Sequence, residues 1–99
     1  MTQKQAKEVL DVIRSWDGKP SSAWKARSEA HQKAIDSGDP FEYAKAFREL
    51  HEMDCKDELR PQDNAHLNQT RQLLAEELAR SLKKADQQVR QLISQALGA

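Results

Sequence analysis

Apolar residues recur along the chain at intervals of three and four, the spacing that places side chains on one face of an α-helix. The pattern begins at Ala6, Val9, Leu10 and Ile13. It returns three times further on, at Phe41/Ala44/Phe47/Leu50, at Leu67/Leu74/Leu78/Leu82 with Leu73 beside it, and at Val89/Leu92/Ile93/Ala96/Leu97. Each stripe predicts an amphipathic helix with one buried face.

Short breaks rich in proline, glycine and capping residues separate these segments. They are DGKPSS (17–22), SGDP (37–40) and LRPQD (59–63). Within SGDP, Gly38 is predicted to end one helix, Asp39 to cap the next, Pro40 to occupy its first position and Glu42 to complete a capping box. The pattern predicts an all-α, compact bundle of about five amphipathic helices in a single domain, 1–99, with helices near 3–16, 22–37, 40–56, 62–84 and 87–97.

The second predicted helix has two different faces. One face consists of small residues, Ala23, Ala26, Ala30 and Ala34. At 100° per residue, Trp24 lies about 115° from the centre of that face and lines up with Arg27, His31 and Ile35. We expect the alanine face to pack closely and Trp24 to lie off it. In the alternative, Trp24 is half-buried against Ile35 or a neighbouring helix.

Composition fits a helical protein of one domain. Proline and glycine number three each, hydrophobic residues make up 37% of the chain, and good helix formers dominate. Trp16, at the end of the first predicted helix, is expected in the core. The scarcity of glycine and proline argues against all-β, collagen-like and flexible disordered classes.

Charge is balanced in total but uneven along the chain. Sixteen basic and sixteen acidic side chains give a formal net charge of zero, which argues against a protein that binds nucleic acid by bulk charge alone. Residues 1–35 have a net charge of +3, residues 36–63 of −5 and residues 64–99 of +2. We expect a basic side and an acidic side, which either form solvated helix faces or steer a polyanion.

Cysteine content and hydropathy favour a cytoplasmic protein. Cys55 is the only cysteine, so an internal disulfide is impossible. No stretch approaches the roughly 20 apolar residues of a membrane span, and the first residues lack the apolar run of a signal peptide. We expect neither a membrane nor a small-molecule substrate among its partners.

The sequence carries no recognisable catalytic, cofactor-binding or metal-binding motif. It has no GxGxxG, Walker-type GxxxxGK or HExxH pattern. His51 and Cys55 are four residues apart and share a helix face, but they make only half of a zinc site. We therefore predict no enzyme activity, no catalytic residue, no cofactor and no metal.

Trp24, Lys25 and Arg27 form the most informative local combination in the sequence. An aromatic ring between cations suits a nucleic-acid contact, because the ring stacks on or wedges beside an unpaired base while the cations neutralise phosphates. The alternative is a protein–protein interaction module without DNA binding. Such a module would present the acidic 36–63 surface or the Trp24 patch to a partner.

The order of three motifs resembles a known family. AWKAR (23–27), DSGDPFEYAKAFRELH (36–51) and TRQLLAEELA (70–79) follow one another at the spacing found in the C-terminal helical domain of the CarD/CdnL family of bacterial transcription regulators. The resemblance extends from about residue 5 to residue 97. It is more specific than any one motif because it combines their order and their spacing.

The resemblance implies a function and a set of contact residues. Members of this family dock on the RNA polymerase β subunit through an N-terminal domain. Their helical domain contacts promoter DNA at the upstream edge of the transcription bubble, where a tryptophan wedge opposes bubble collapse. By position that tryptophan is Trp24, with Lys25 and Arg27 as the matching basic residues. The implied protein is a nucleoid-associated regulator that binds promoter DNA weakly alone and is tethered through the polymerase.

The chain also departs from the family pattern. Ala26 replaces a basic residue, Ser28 and Glu29 replace an aromatic and a basic one, and the Ser-x-Gly-Glu turn becomes RPQD (60–63), followed by Asn64 and Ala65. Part of the expected phosphate-contacting surface is therefore missing. The polymerase-docking domain is also absent from these 99 residues, so we expect either an excised fragment or a stand-alone version.

Overall fold

A computed structural model describes residues 1–16 and 24–98, with Trp24 described by its backbone only. The helices are α1 (Gln3–Ser15), α2 (Trp24–Ser37), α3 (Pro40–Cys55), α4 (Pro61–Leu82) and α5 (Asp86–Ala96), and no strand occurs within these ranges. The predicted all-α class is confirmed, and, apart from the start of the second helix, each predicted helix end lies within two residues of the observed one. The DGKPSS break, including Gly18, and the predicted start of the second helix fall outside the described residues.

The turn between α2 and α3 follows the predicted chemistry in all but one respect. Gly38 adopts a left-handed φ of 69° after α2, and the Asp39 carboxylate accepts the backbone N–H of Phe41 at 3.0 Å. Glu42 does not complete a capping box, contrary to prediction. The backbone N–H of Asp39 instead donates to the Ser37 hydroxyl at 3.1 Å, so the donor that Glu42 would have satisfied already has a partner.

Helix α5 begins one residue before the predicted position 87. Asp86 is its first residue, and its carboxylate pairs with Arg90 at 2.7 Å. The side-chain oxygen of Gln88 accepts a hydrogen bond from the backbone N–H of Ala85 at 3.2 Å. This N–H at the start of the helix therefore has a partner. Gly98, with φ of 79°, follows the last turn as predicted.

The apolar core lies where α1, α3, α4 and α5 meet. Phe47, Leu50, Leu74 and Leu78 are almost wholly buried at its centre. The remaining buried core positions are Ala6, Val9, Leu10, Ile13, Tyr43, Ala44, Leu67, Ala75, Val89, Ile93 and Ala96. Apart from Tyr43 and Ala75, these positions belong to the predicted stripes, so the apolar periodicity predicted the register of four helices.

Trp16 is only half-buried, contrary to its predicted place in the core. The guanidinium of Arg48 lies 5.3 Å from the centre of its ring, and Arg48 also donates from Nε to the carbonyl of Ile13 at 3.2 Å. The Trp16 ring thus packs at the end of α1 through a cation–π contact with Arg48 and remains partly accessible to solvent.

Helix α2 packs against α3 and α4 through a polar face, which overturns the prediction for its alanines. Ala26 and Ala30 are exposed and Ala34 is half-buried. The buried positions are Arg27, Ser28, His31 and Ile35. The facing surface presents carboxylates and a histidine, and these pair with the long polar side chains of α2, which alanines could not do.

Candidate functional site

The residues predicted to contact DNA lie in the first turn of α2. Trp24 is the first residue of the helix, and its side chain lies outside the described part of the structure. Lys25 is exposed, whereas Arg27 is buried, with 6% of its surface accessible.

Arg27 anchors the first turn of α2 to the start of α4. Its Nη2 lies 2.9 Å from Oδ2 of Asp63 and its Nε lies 3.4 Å from Oδ1, so the guanidinium engages both oxygens. The same Oδ2 accepts the backbone N–H of Arg60 at 3.1 Å. Asp63 is 2% exposed, so this pair is a buried bidentate ion pair that joins two helix starts.

The environment of Asp63 favours the ionised carboxylate. Burial alone would raise the pKa, but the hydrogen bonds from Arg27 and from the backbone of Arg60, with the charge of Arg27, hold the pKa of Asp63 below its usual value. The carboxylate therefore stays charged at neutral pH.

The surface beside this pair is concave. Ser28 borders two adjoining depressions, one of about 280 Å³ that reaches Arg60 and Pro61, and one of about 250 Å³ that reaches Lys25 and Gln62. The start of α4 and the first turn of α2 therefore line a groove together, and the exposed Lys25 lies at its edge.

Two buried histidines extend the polar network beneath the ion pair. The rings of His31 and His66 lie edge to face, with 6.1 Å between their centres. Nε2 of His31 lies 3.2 Å from the Glu49 carboxylate, and Nε2 of His66 lies 3.1 Å from Oε1 of Gln32. Within the described residues, neither Nδ1 atom has a hydrogen-bond partner.

The orientation of Gln32 indicates how His66 is protonated. The Gln32 amide nitrogen donates to Asp36 at 2.9 Å, which leaves its oxygen toward His66. Nε2 of His66 must therefore donate, and its Nδ1 carries a buried lone pair. Adding a proton there would create a buried donor with no acceptor.

We expect the domain to lose stability as pH falls below the usual histidine pKa of 6.5. Burial lowers the pKa of His66, and the neighbouring His31 imidazole lowers it further, against the opposing charge of Asp63. The unfolded chain therefore binds a proton more tightly than the folded domain, so stability is highest above pH 6.5 and declines toward the lower folded pKa. Urea denaturation at a series of pH values between about 7.5 and 5 measures this decline.

The pH experiment needs a His51 variant as a control, because the pKa of His51 is lowered as well. Burial and the nearby Arg48 also lower the pKa of His51. A His51→Gln variant should keep the part of the decline due to His66, and a His66→Gln variant should lose it. Equal pH dependence in the wild type and His66→Gln would contradict the assignment.

Metal ligands do not cluster in the described ranges. There, no group of three or more His, Cys, Asp or Glu side chains lies close enough to hold a metal ion. His51 and Cys55 share a face of α3 as predicted, with Sγ 3.5 Å from Nε2. Among the described helices, none is both long and apolar enough to cross a bilayer.

Sequence reasoning missed Asp63, His31 and His66 as parts of the site. A signal was present in α4, where Asp63, His66 and Thr70 lie at helical spacing on the same face as Leu67 and Leu74. Polar residues on a stripe that faces the core indicate a buried polar contact with a neighbouring helix.

A comparison with protein families classifies the five-helix bundle. The family model for the CarD C-terminal domain matches residues 8–94. The fold and this match define the chain as a helical domain of a transcription regulator. It belongs to the CarD C-terminal domain family, which is associated with RNA polymerase and DNA in general. A comparison with curated proteins finds no match.

Proposed function

We propose that this domain contacts promoter DNA at the upstream edge of the transcription bubble and stabilises the open complex of RNA polymerase. Trp24 acts as a wedge beside a separated base pair, with Lys25 and Arg27 as the adjacent basic residues. The observation that carries the proposal is membership of the CarD C-terminal domain family together with the position of Trp24 in the first turn of α2, next to the exposed Lys25.

Lys25 and Arg27 have different parts in this proposal. Lys25 is exposed at the edge of the groove and supplies the direct phosphate contact. Arg27 is buried against Asp63, so it contributes by fixing the first turn of α2 to α4. A wedge needs such an anchor, because a tryptophan on a loose helix end loses its contact with the base through conformational entropy.

The energetics favour a module that acts inside a larger assembly. Lys25 as the one direct phosphate contact gives a salt slope on the order of −1, and affinity for duplex DNA alone is weaker than the ~10⁻⁴ M level of non-specific binding. Tethering through the polymerase supplies an effective concentration near mM, which is sufficient for so weak a contact. We propose the β subunit as the tether, through a docking domain that these 99 residues do not contain.

The sign of the effect follows from the state that is bound. A ring that stacks on an unpaired base has no equivalent site on closed duplex, so it binds the unwound state more tightly. Such a difference in affinity shifts the population toward open DNA. The expected difference is the ~1–3 kcal/mol of one base–aromatic stack.

We expect Trp24→Ala to weaken binding to a fork-junction DNA by about 5- to 150-fold, the loss of one base–aromatic stack. Trp24→Phe should keep most of the affinity because it retains a ring. Fluorescence anisotropy with labelled fork DNA, and with a blunt duplex of the same sequence, measures both. Equal binding by the wild type and Trp24→Ala would remove Trp24 from the mechanism.

Salt dependence tests the cationic part and separates the alternative function. Lys25→Ala should reduce the salt slope by about 1, whereas Lys33→Ala, also exposed on α2, should leave it unchanged. A protein-interaction module without DNA binding would show no salt-sensitive DNA binding at all.

A further inference from the structure

A second groove lies between α3, α4 and α5. Its floor is apolar and consists of Phe47, Ile93 and Leu97. Among the described helices α2 contacts only α3 and α4, so this groove is separate from the start of α2. Any ligand it binds would be distinct from DNA held at Trp24.

The rim of the groove is basic. Arg71 and Arg90 line it from α4 and α5, and His51 lines it from α3. Arg90 is already paired with Asp86 at 2.7 Å. Arg71 makes only a long hydrogen bond of 3.4 Å to Asn68 and no ion pair with any described residue. The groove therefore has one cation that lacks a carboxylate partner within the described chain.

The position of Arg71 suits an anion with an apolar neighbour. Its guanidinium lies 6.0 Å from the centre of the Phe47 ring and is half-buried. Burial lowers the pKa of the nearby His51 imidazole, and the charges of Arg48 and Arg71 lower it further, against those of Asp54 and Glu52. A carboxylate there would gain a charge-assisted hydrogen bond in a partly desolvated setting.

The size of the groove limits its ligand. Its volume of about 220 Å³ lies below the roughly 300–1,000 Å³ of pockets that enclose a small molecule. It has room for one large apolar side chain, while a neighbouring carboxylate reaches Arg71 at the rim. A bare phosphate backbone would use Arg71 but leave the apolar floor uncovered.

We propose that this groove docks a segment of a partner protein in which an aspartate or glutamate adjoins a leucine or phenylalanine. The apolar side chain lies on Ile93 and Leu97, and the carboxylate pairs with Arg71. The inference is independent of DNA binding by Trp24, so the domain would have a protein-binding face in addition to its proposed DNA-binding end.

A peptide titration tests the proposal. The probe is Gly-Ser-Glu-Leu-Phe-Asp-Gly-Ser, titrated into ¹⁵N-labelled protein and followed by chemical-shift changes. We expect saturable shifts at the groove residues. A Gln/Asn version of the peptide, without charge, and a version with serines in place of Leu and Phe should each bind about tenfold more weakly or worse.

Two arginine variants on α4 supply the matched control. Arg71→Gln should weaken peptide binding by at least about tenfold. Arg80→Gln removes an exposed charge that pairs with Glu77 outside the groove, and it should bind as the wild type does. Circular dichroism shows whether both variants fold. If Arg71→Gln does not fold, the comparison of the three peptides on the wild-type protein still tests the groove.

Cys55 provides an independent readout without any substitution. It is the only cysteine in the chain, and its sulfur lies 3.5 Å from the His51 ring at the edge of the groove. Saturating peptide should slow alkylation of this thiol. Three results would each overturn the proposal: binding that does not saturate, equal affinity of the charged and uncharged peptides, and a fork-DNA affinity that falls with Arg71→Gln while peptide binding does not.

Discussion

Replacing Asp63 with alanine is expected to destabilise the domain by about 3–5 kcal/mol. The substitution leaves the Arg27 guanidinium buried without its carboxylate, and it removes the acceptor of the Arg60 backbone N–H. A buried charge that loses its partner retains its full desolvation penalty, which is why the expected loss is large. Urea denaturation of the two proteins at neutral pH gives the difference in unfolding free energy.

An exposed ion pair provides the control for that result, and a double variant tests whether the unpaired buried charge is its cause. Asp86→Ala breaks the exposed pair with Arg90 and should change stability by at most about 1 kcal/mol. Combining Arg27→Met with Asp63→Leu removes both charges, so the double variant should be more stable than either single one. If Asp63→Ala were no more destabilising than Asp86→Ala, the Arg27–Asp63 pair would not be a buried anchor.

The other large effect is expected at Phe47. Its ring is 1% exposed at the centre of the apolar core, and Phe47→Ala should lower the unfolding free energy by about 3–5 kcal/mol through lost burial and the cavity left behind. The same denaturation measurement applies. The loss should also appear as a lower melting temperature in circular dichroism.

Phe41 provides the matched control for that substitution. It belongs to the same stripe of α3 but is half-buried at the edge of the core, so Phe41→Ala should cost clearly less. A change below about 1 kcal/mol for Phe47→Ala would mean that the register of α3 is wrong. Equal losses at the two positions would show that burial does not govern stability along this helix.

The apolar stripes predicted most of the fold because four helices bury apolar faces. Each of these helices has one stripe of apolar residues at helical spacing, and only that face can pack into a common core. Val9, Leu50, Leu78 and Val89 are examples, one from each helix. Helix α2 was the exception. Its alanines have the composition of a packing face, but its buried face contains Arg27 and His31, and periodicity of apolar residues does not identify a polar face.

The candidate site was predictable in its location but not in its geometry. The motif around Trp24 and the family resemblance identified the start of α2. The pairing of Arg27 with Asp63 spans 36 positions in the sequence, and no local pattern indicates that two charged residues so far apart will meet in the interior. The difference between the exposed Lys25 and the buried Arg27 is therefore visible only in the three-dimensional structure.

The polar attachment of α2 has a consequence for motion within the domain. Among its described residues Ile35 is the one large apolar side chain that α2 buries, whereas the other helices share the apolar core. Segments with little apolar contact open locally at a lower free energy than the whole molecule. We therefore expect the amide hydrogens of α2 to exchange with solvent by local opening, whereas those of α3 and α4 exchange only on global unfolding.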